Sequence, residues 1–199
     1  MVKFLGRLIV LVLVLAGLVA VVGVGSLAMG GIGARREPSS LEMKVAPKLR
    51  SLAIPASAKQ AANPVPANAE AIADGMAHFA DHCAICHAND GSGDTEIGKS
   101  LYPRVPDMRK AETQNLTDGE LFYIIENGVK LTGMPAWAHE DANDNWKLVH
   151  FIRHQPKLTP QELARMQALN PRAPAEEPMP AAPDGKPAPK PHTHTHPHK

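Results

Sequence analysis

The chain has 199 residues, with 21 Lys and Arg against 20 Asp and Glu, so its formal net charge is +1. This balance gives no support to a nucleic-acid partner, because nucleic-acid binders usually carry a clear basic excess. Two cysteines exclude a disulfide-rich scaffold and a four-cysteine zinc site. Nine of the 19 prolines fall in residues 171–199. That segment is too poor in large apolar side chains to form a core, and it predicts a disordered Pro- and His-rich tail.

The N-terminal segment, residues 1–30, predicts a transmembrane anchor. Residues 8–29 form a run of 22 residues without a charge, and about 20 apolar residues span the hydrocarbon of a bilayer. Lys3 and Arg7 precede the run, as is typical of the cytoplasmic flank of a span. The alternative is a cleaved signal peptide, with Ser26-Leu27-Ala28 as the cleavage site.

Residues 31–66 are rich in Ala, Pro and Ser and show no sustained period, so they predict a flexible linker. Residues 1–66 together carry eight basic and two acidic residues. A basic linker beside anionic lipid headgroups would be held near the membrane surface.

Residues 67–170 carry the helical signals and predict a single all-α domain. One helix face is marked by apolar residues at helical spacing, which are Ile72, Met76, Phe79 and Cys83. Capping boxes at Thr117–Glu120 and Thr159–Glu162 open two further helices. A helix containing Trp146, Val149 and Ile152 ends before Pro156. No strand-like alternation of useful length appears, and the domain holds 15 acidic and nine basic residues.

The motif that carries chemistry is Cys83-Ala84-Ile85-Cys86-His87. C-x-x-C-H is the attachment signature of c-type haem. Two thiols at this spacing add to the two vinyl groups of one porphyrin, and the adjacent histidine reaches the iron. The alternative is a thioredoxin-like dithiol, which requires a strand before the motif, whereas here a predicted helix precedes Cys83.

A six-coordinate haem needs a second axial ligand, and Met134 is the predicted one. It lies in Thr132-Gly133-Met134-Pro135-Ala136-Trp137, where glycine and proline favour a rigid turn that can present a thioether. Met76 and Met108 are alternatives, although Met76 fits the core stripe of the first helix. Ligation by a second histidine is a further alternative, with candidates His78, His82, His139, His150 and His154.

Together these residues resemble class I cytochrome c. The resemblance covers residues 67–158, and the segment from Gly98 to Met108 is similar to the histidine-side loop of single-haem, membrane-tethered cytochromes of bacterial respiratory chains. It implies three or four helices around one covalently attached haem c, with the first and last helices crossing near the attachment segment. It also implies that a carbonyl at Pro103 or Pro106 accepts the Nδ1 proton of His87, which would fix the imidazole tautomer.

Two polar residues of the same loop are candidates for contacts with haem. Arg104 and Tyr102 can offer hydrogen bonds to a haem propionate. The alternative is a solvated arginine and a packed tyrosine.

The C-terminal tail contains four alternating histidines, which are His192, His194, His196 and His198. Neutral imidazole binds Cu, Zn and Ni, so the tail is a possible weak metal site. A soluble spacer without a selected ligand is the alternative.

The sequence therefore predicts an electron-transfer protein rather than an enzyme. Its expected place is the cytoplasmic membrane with the haem domain on the periplasmic side, since the resemblance implies haem attachment outside that membrane. The expected partners are membrane redox enzymes or other cytochromes, with the chain as carrier or as a bound subunit. One alternative is a metal-responsive protein that acts through its histidine tail, and another is a haem enzyme such as a peroxidase, which needs a labile sixth ligand.

Overall fold

The computed structural model describes residues 2–30, 33–34, 36–138 and 141–170, and all regular structure in these ranges is helical. The predicted all-α fold is thus confirmed. In chain order the α-helices are α1 Val2–Gly30, α2 Ser40–Ala53, α3 Ala56–Lys59, α4 Ala69–His78, α5 Ala84–His87, α6 Glu96–Ser100, α7 Ala111–Gln114, α8 Asp118–Asn127, α9 Ala142–His154 and α10 Pro160–Leu169. The predicted C-terminal tail, with its four histidines, lies outside the described residues.

The N-terminal helix α1 is a candidate membrane span. Its segment Lys3–Gly25 has a mean hydropathy of 3.1 and is not buried against the rest of the chain. A helix of this length and composition can cross a bilayer, and its N-terminal position fits an anchor or a signal sequence.

The first helix of the domain runs almost without interruption into the cysteine motif. Asn68 caps α4 by accepting a hydrogen bond from the backbone N–H of Ala71 at 2.8 Å. A five-residue π-helical turn, Phe79–Cys83, then joins α4 to α5. Turns of this kind inside helices frequently mark functional sites. Here the turn ends at the first cysteine.

Helices α4 and α9 cross at Gly75. A Cβ on Gly75 would collide with the carbonyl oxygen of Lys147 and lie 3.1 Å from the Cβ of Phe151. The crossing therefore needs a residue without a side chain. The helix crossing implied by the resemblance is present, although α10 follows α9 along the chain.

The core is formed by side chains of α4, the π-helical turn, α8, α9 and α10. The rings of Phe79 and Phe151 lie 5.2 Å apart at its centre. Both predicted capping boxes are present, at the start of α8 and of α10. Helix α9 ends before Pro156, as predicted. These local signals agree with the tertiary structure because each depends on residues within one helical turn.

The segment before the domain differs from the expected flexible linker over residues 31–66. Ser39 and Glu42 form a third capping box, which opens α2. Helix α3 packs its backbone against α8, where a Cβ on Gly119 would collide with the carbonyl oxygen of Ala58. Thr117 Oγ1 also donates a hydrogen bond to the carbonyl of Lys59 at 2.9 Å.

The residues after α3 are held to the domain as well. Asn63 Nδ2 donates to the carbonyl of Trp146 at 3.0 Å, and His150 Nε2 lies 2.8 Å from the carbonyl of Val65. Ile54 is buried. The structured region therefore begins well before residue 67, because backbone contacts that no local pattern encodes hold this segment in place.

Candidate haem-binding site

The two cysteines lie one helical turn apart, at the end of the π-helical turn and in α5. Both thiols are free and half-buried. Burial raises the pKa of the Cys83 thiol to about 12, and it also raises the pKa of the Cys86 thiol. Redox-active C-x-x-C pairs have the opposite property, a lowered thiol pKa. Together with the helix that precedes Cys83, this argues against the thioredoxin-like alternative.

His87 ends α5 and is buried, with 8% of its surface exposed. Its ring lies 6.2 Å from the ring of Phe79, and no described residue hydrogen-bonds to its Nδ1. Burial lowers the pKa of His87 to about 4, so the imidazole is neutral at physiological pH. Neutral imidazole is the form that binds metals. A buried, neutral imidazole directly after two thiols fits the histidine of a c-type haem.

The segment from Gly93 to Thr95, which precedes the histidine-side loop, is hydrogen-bonded to the attachment segment. Thr95 Oγ1 donates to the carbonyl of Cys86 at 3.1 Å, and Gly93 N donates to the carbonyl of His87 at 2.9 Å. Gly93 has a φ of +75°, and a Cβ there would lie 2.8 Å from the carbonyl oxygen of Val105. Val105, in the histidine-side loop, therefore comes close to this segment only because Gly93 has no side chain.

The expected bond from His87 Nδ1 to a carbonyl at Pro103 or Pro106 is not formed in the structure. The Pro106 carbonyl is turned towards Gly93, where a Cβ would lie 3.4 Å from its oxygen. Pro103 is exposed. A contact of Pro103 with haem stays a prediction.

Arg104 and Tyr102 have protein partners in place of the expected propionate. Arg104 Nη2 forms an ion pair with Glu37 Oε1 at 2.5 Å, and the Tyr102 hydroxyl donates to Glu42 Oε1 at 2.7 Å. The two acidic residues belong to the segment before the domain, which the sequence did not place here. The propionate role of Arg104 therefore stays a prediction, and it would compete with Glu37.

The loop that carries Met134 is in backbone contact with the residues at the end of α8. Gly128 has a φ of +63°, and a Cβ there would lie 2.7 Å from the carbonyl oxygen of Met134. Val129 N donates to that same carbonyl at 3.2 Å, and Met134 N donates to Thr132 Oγ1 at 3.1 Å. Met134 itself is half-buried.

Two contacts place the Met134 loop beside the other parts of the site. The ring of Trp137 lies 5.2 Å from the ring of His82, which directly precedes the first cysteine. On the other side, a Cβ on Gly133 would lie 2.7 Å from the side chain of Leu101, in the histidine-side loop. The fold thus brings the cysteine motif, the histidine-side loop and the methionine loop together.

The alternative methionines have other roles in the structure. Met76 is buried in the core, as its position on the first helix predicts, and Met108 packs against the same core. The backbone of Met108 is also fixed, since its N–H donates to the carbonyl of Gly91 at 2.8 Å and its carbonyl accepts from Gln114. These contacts favour Met134 among the three.

The alternative histidines also have protein contacts. His150 Nε2 is bonded to Val65, and His154 Nε2 lies 2.7 Å from Glu162 Oε1. The rings of His78 and His82 lie 5.0 Å apart on one face of the first helix. His139 lies outside the described residues. Within the described residues there is also no group of three His, Cys, Asp or Glu side chains that could hold a metal ion.

A helical domain with C-x-x-C-H at the end of its first helix and a methionine loop beside it has the arrangement of a class I c-type cytochrome. Residues 70–152, from α4 to α9, match the family described as cytochrome c oxidase, cbb3-type, subunit III, over less than half of the chain. The chain therefore contains a class I c-type cytochrome domain, which transfers electrons rather than catalysing a reaction and carries covalently bound haem c. No curated protein matches the chain.

Proposed function

We propose that the chain is a single-haem cytochrome that passes electrons at the outer face of the cytoplasmic membrane. The observation that carries this proposal is the buried, neutral imidazole of His87, placed directly after the two thiols. The chain acts as an electron carrier or as the haem subunit of a membrane oxidase. The match to an oxidase subunit family supports the second of these roles.

In this proposal four residues hold the haem. Cys83 and Cys86 form the thioether links, and His87 and Met134 are the axial ligands. The haem supplies reversible one-electron chemistry at its iron. Two strong axial ligands leave no open position for a small substrate, and Met/His ligation raises the reduction potential relative to other ligand sets. Both properties favour electron transfer over catalysis.

The proposed location depends on α1 as an uncleaved anchor. The N-terminus would lie inside, with Lys3 and Arg7 on the cytoplasmic flank. The haem domain would then lie on the periplasmic side, where its partners are membrane redox enzymes or other cytochromes. The metal-responsive alternative depends on the histidine tail, and no contact in the described part of the chain favours it.

The direct test of the cofactor is the double variant Cys83→Ser, Cys86→Ser. We expect its haem to be lost on denaturing electrophoresis, because the thioether links are gone, whereas the unaltered protein retains haem staining. Staining that survives in the double variant would refute the assignment.

A second measurement separates the electron carrier from a haem enzyme. The ferrous protein is exposed to carbon monoxide, which binds haem iron only where the sixth position is open or labile. We expect the spectrum to stay unchanged. A shifted spectrum in the unaltered protein would favour the peroxidase-type alternative.

A further inference from the structure

Helix α2 contacts the domain through side chains that lie outside its row of leucine and valine residues. Glu42 accepts the hydrogen bond from Tyr102, and Ser51, half a turn away around the helix, accepts one from Lys59 Nζ at 3.3 Å. Arg50, which lies between these two residues around the helix, is half-buried with its Nε out of contact with water. These contacts attach the helix to the histidine-side loop and to the end of α3.

The outward face of α2 is apolar and has no partner in the described part of the chain. It consists of four residues at helical spacing, which are Leu41, Val45, Leu49 and Leu52. Their exposed fractions are 70%, 39%, 58% and 81%, respectively. No residue of α2 is buried. An exposed apolar stripe of this kind indicates that the helix binds a partner outside the domain.

Lysines border the apolar stripe. Lys44 and Lys48 are one turn apart, both are exposed, and helical geometry places them along one edge of the stripe. The one acidic residue of α2, Glu42, is engaged with Ser39 and Tyr102. Both partners are uncharged, so Glu42 keeps its negative charge. The three basic residues of α2, which are Lys44, Lys48 and Arg50, outnumber it, so the net charge of the helix is positive. Lysine stems can lie along an apolar surface while their ammonium groups reach anionic headgroups.

The position of α2 along the chain selects the partner. Nine residues separate Gly30, the end of α1, from Ser40, and nine extended residues reach at most about 30 Å. If α1 spans the membrane, as the proposed function requires, α2 cannot lie far from the bilayer surface. A short helix with an apolar stripe and a basic border is the type that lies in the plane of a membrane interface.

We propose that α2 is an interfacial helix that binds the surface of an anionic lipid bilayer with Leu41, Val45, Leu49 and Leu52 in the headgroup region. This inference rests on the proposed function, since it requires α1 to be an anchor. Its consequence is that the haem domain is not carried on a flexible tether. Glu42, at the edge of the stripe, holds the domain through Tyr102, and an ion pair from Glu37 to Arg104 adds to this attachment.

The test compares two cysteine substitutions in the full-length, haem-loaded chain. Leu49→Cys lies on the apolar stripe, and Met43→Cys is the matched control, because Met43 is an exposed apolar residue of the same helix, at 60%, that lies off the stripe. The native cysteines are occupied by haem in this protein. Each variant is reconstituted into phosphatidylcholine vesicles with about a quarter phosphatidylglycerol, an anionic lipid. The rate of reaction with a water-soluble maleimide is then measured.

We expect the cysteine at position 49 to react several-fold more slowly than the one at position 43. In detergent the two rates should become similar. The difference should also shrink in pure phosphatidylcholine and in a Lys44→Gln, Lys48→Gln background. Equal rates in the anionic vesicles, with the chain still bound to them, would overturn the inference and leave the anchor intact.

Two further outcomes would also overturn it. Protection of position 49 that persists in detergent and grows with protein concentration would show that a second copy of the chain covers the stripe. Loss of the chain from the vesicles would refute the anchor itself, and with it this inference. The haem spectrum of each variant shows that the domain has folded.

Discussion

The backbone N–H of Met134 donates to Thr132 Oγ1 at 3.1 Å, and that hydroxyl in turn donates to the carbonyl of Val129 at 2.8 Å. One side chain thus ties the proposed axial methionine to the end of α8. The backbone of the same loop also lies close to Gly128, which has no side chain. The position of the Met134 thioether therefore depends on a short chain of local contacts.

Thr132→Val is expected to weaken the bond between Met134 and the iron. Valine has a methyl group where threonine has the hydroxyl, so the two hydrogen bonds that hold the loop are lost. The absorption band of the thioether–iron bond should decrease, and the reduction potential should fall. Thr132→Ser keeps the hydroxyl and should restore both. A valine variant with an unchanged band and potential would show that the hydroxyl does not position the ligand.

Met134→Ala is expected to remove the thioether–iron band and lower the reduction potential, because the iron loses its sulfur ligand. Met108→Ala is the control, since Met108 packs against the core. The thioether–iron band should persist in this variant. If the band disappears in Met108→Ala and stays in Met134→Ala, the axial assignment is wrong. Absorption spectra and a potentiometric titration decide between these outcomes.

Gly75→Ala is expected to destabilise the domain by about 1–3 kcal/mol, because the new methyl group would collide with the backbone of α9. Helix propensity alone predicts the opposite sign, since alanine stabilises a helix relative to glycine. Ala77→Val, on an exposed position of the same helix, is the control and should have a small effect. Denaturant unfolding measures both variants. A Gly75→Ala variant as stable as the unaltered chain would mean that α4 and α9 do not cross at Gly75.

Glu42 is expected to titrate far below an ordinary glutamate. Hydrogen bonds from the Ser39 and Tyr102 side chains are the main causes that lower its pKa from 4.5 to about 2. Because the folded pKa lies below the unfolded one, the contribution of Glu42 to stability is complete above pH 4.5 and is lost as the pH falls towards 2. The attachment of α2 to the domain should weaken over that window.

An NMR titration of the Glu42 carboxyl carbon measures this pKa directly. Tyr102→Phe removes one of the two side-chain hydrogen bonds and should raise the Glu42 pKa towards its ordinary value. Tyr123→Phe, at a tyrosine of α8, is the control and should leave it unchanged. A Glu42 pKa near 4.5 in the unaltered protein would contradict the contact between α2 and the histidine-side loop.

The sequence by itself determined the class of protein and the local frame of the site. C-x-x-C-H, the capping boxes of α8 and α10 and the end of α9 before Pro156 each depend on residues within a turn or two of helix. Such patterns are read directly from the chain because the interacting groups are neighbours in it. The turn-forming neighbours of Met134 also favour it over Met108 as the axial ligand, and this assignment stays a prediction.

Only the tertiary structure decided how the segment before the domain is used. Residues 31–66 show no sustained period, yet α3 packs on Gly119. In the same segment, Glu37 forms an ion pair with Arg104, and Glu42 accepts a hydrogen bond from Tyr102. These contacts join positions about 60 residues apart, as the Glu42 and Tyr102 pair illustrates. They depend on backbone that approaches closely at a glycine and on side chains that meet across a surface. Periodicity along the chain carries no information about either, so only the tertiary structure decided which residues of α2 contact the domain and which stay exposed.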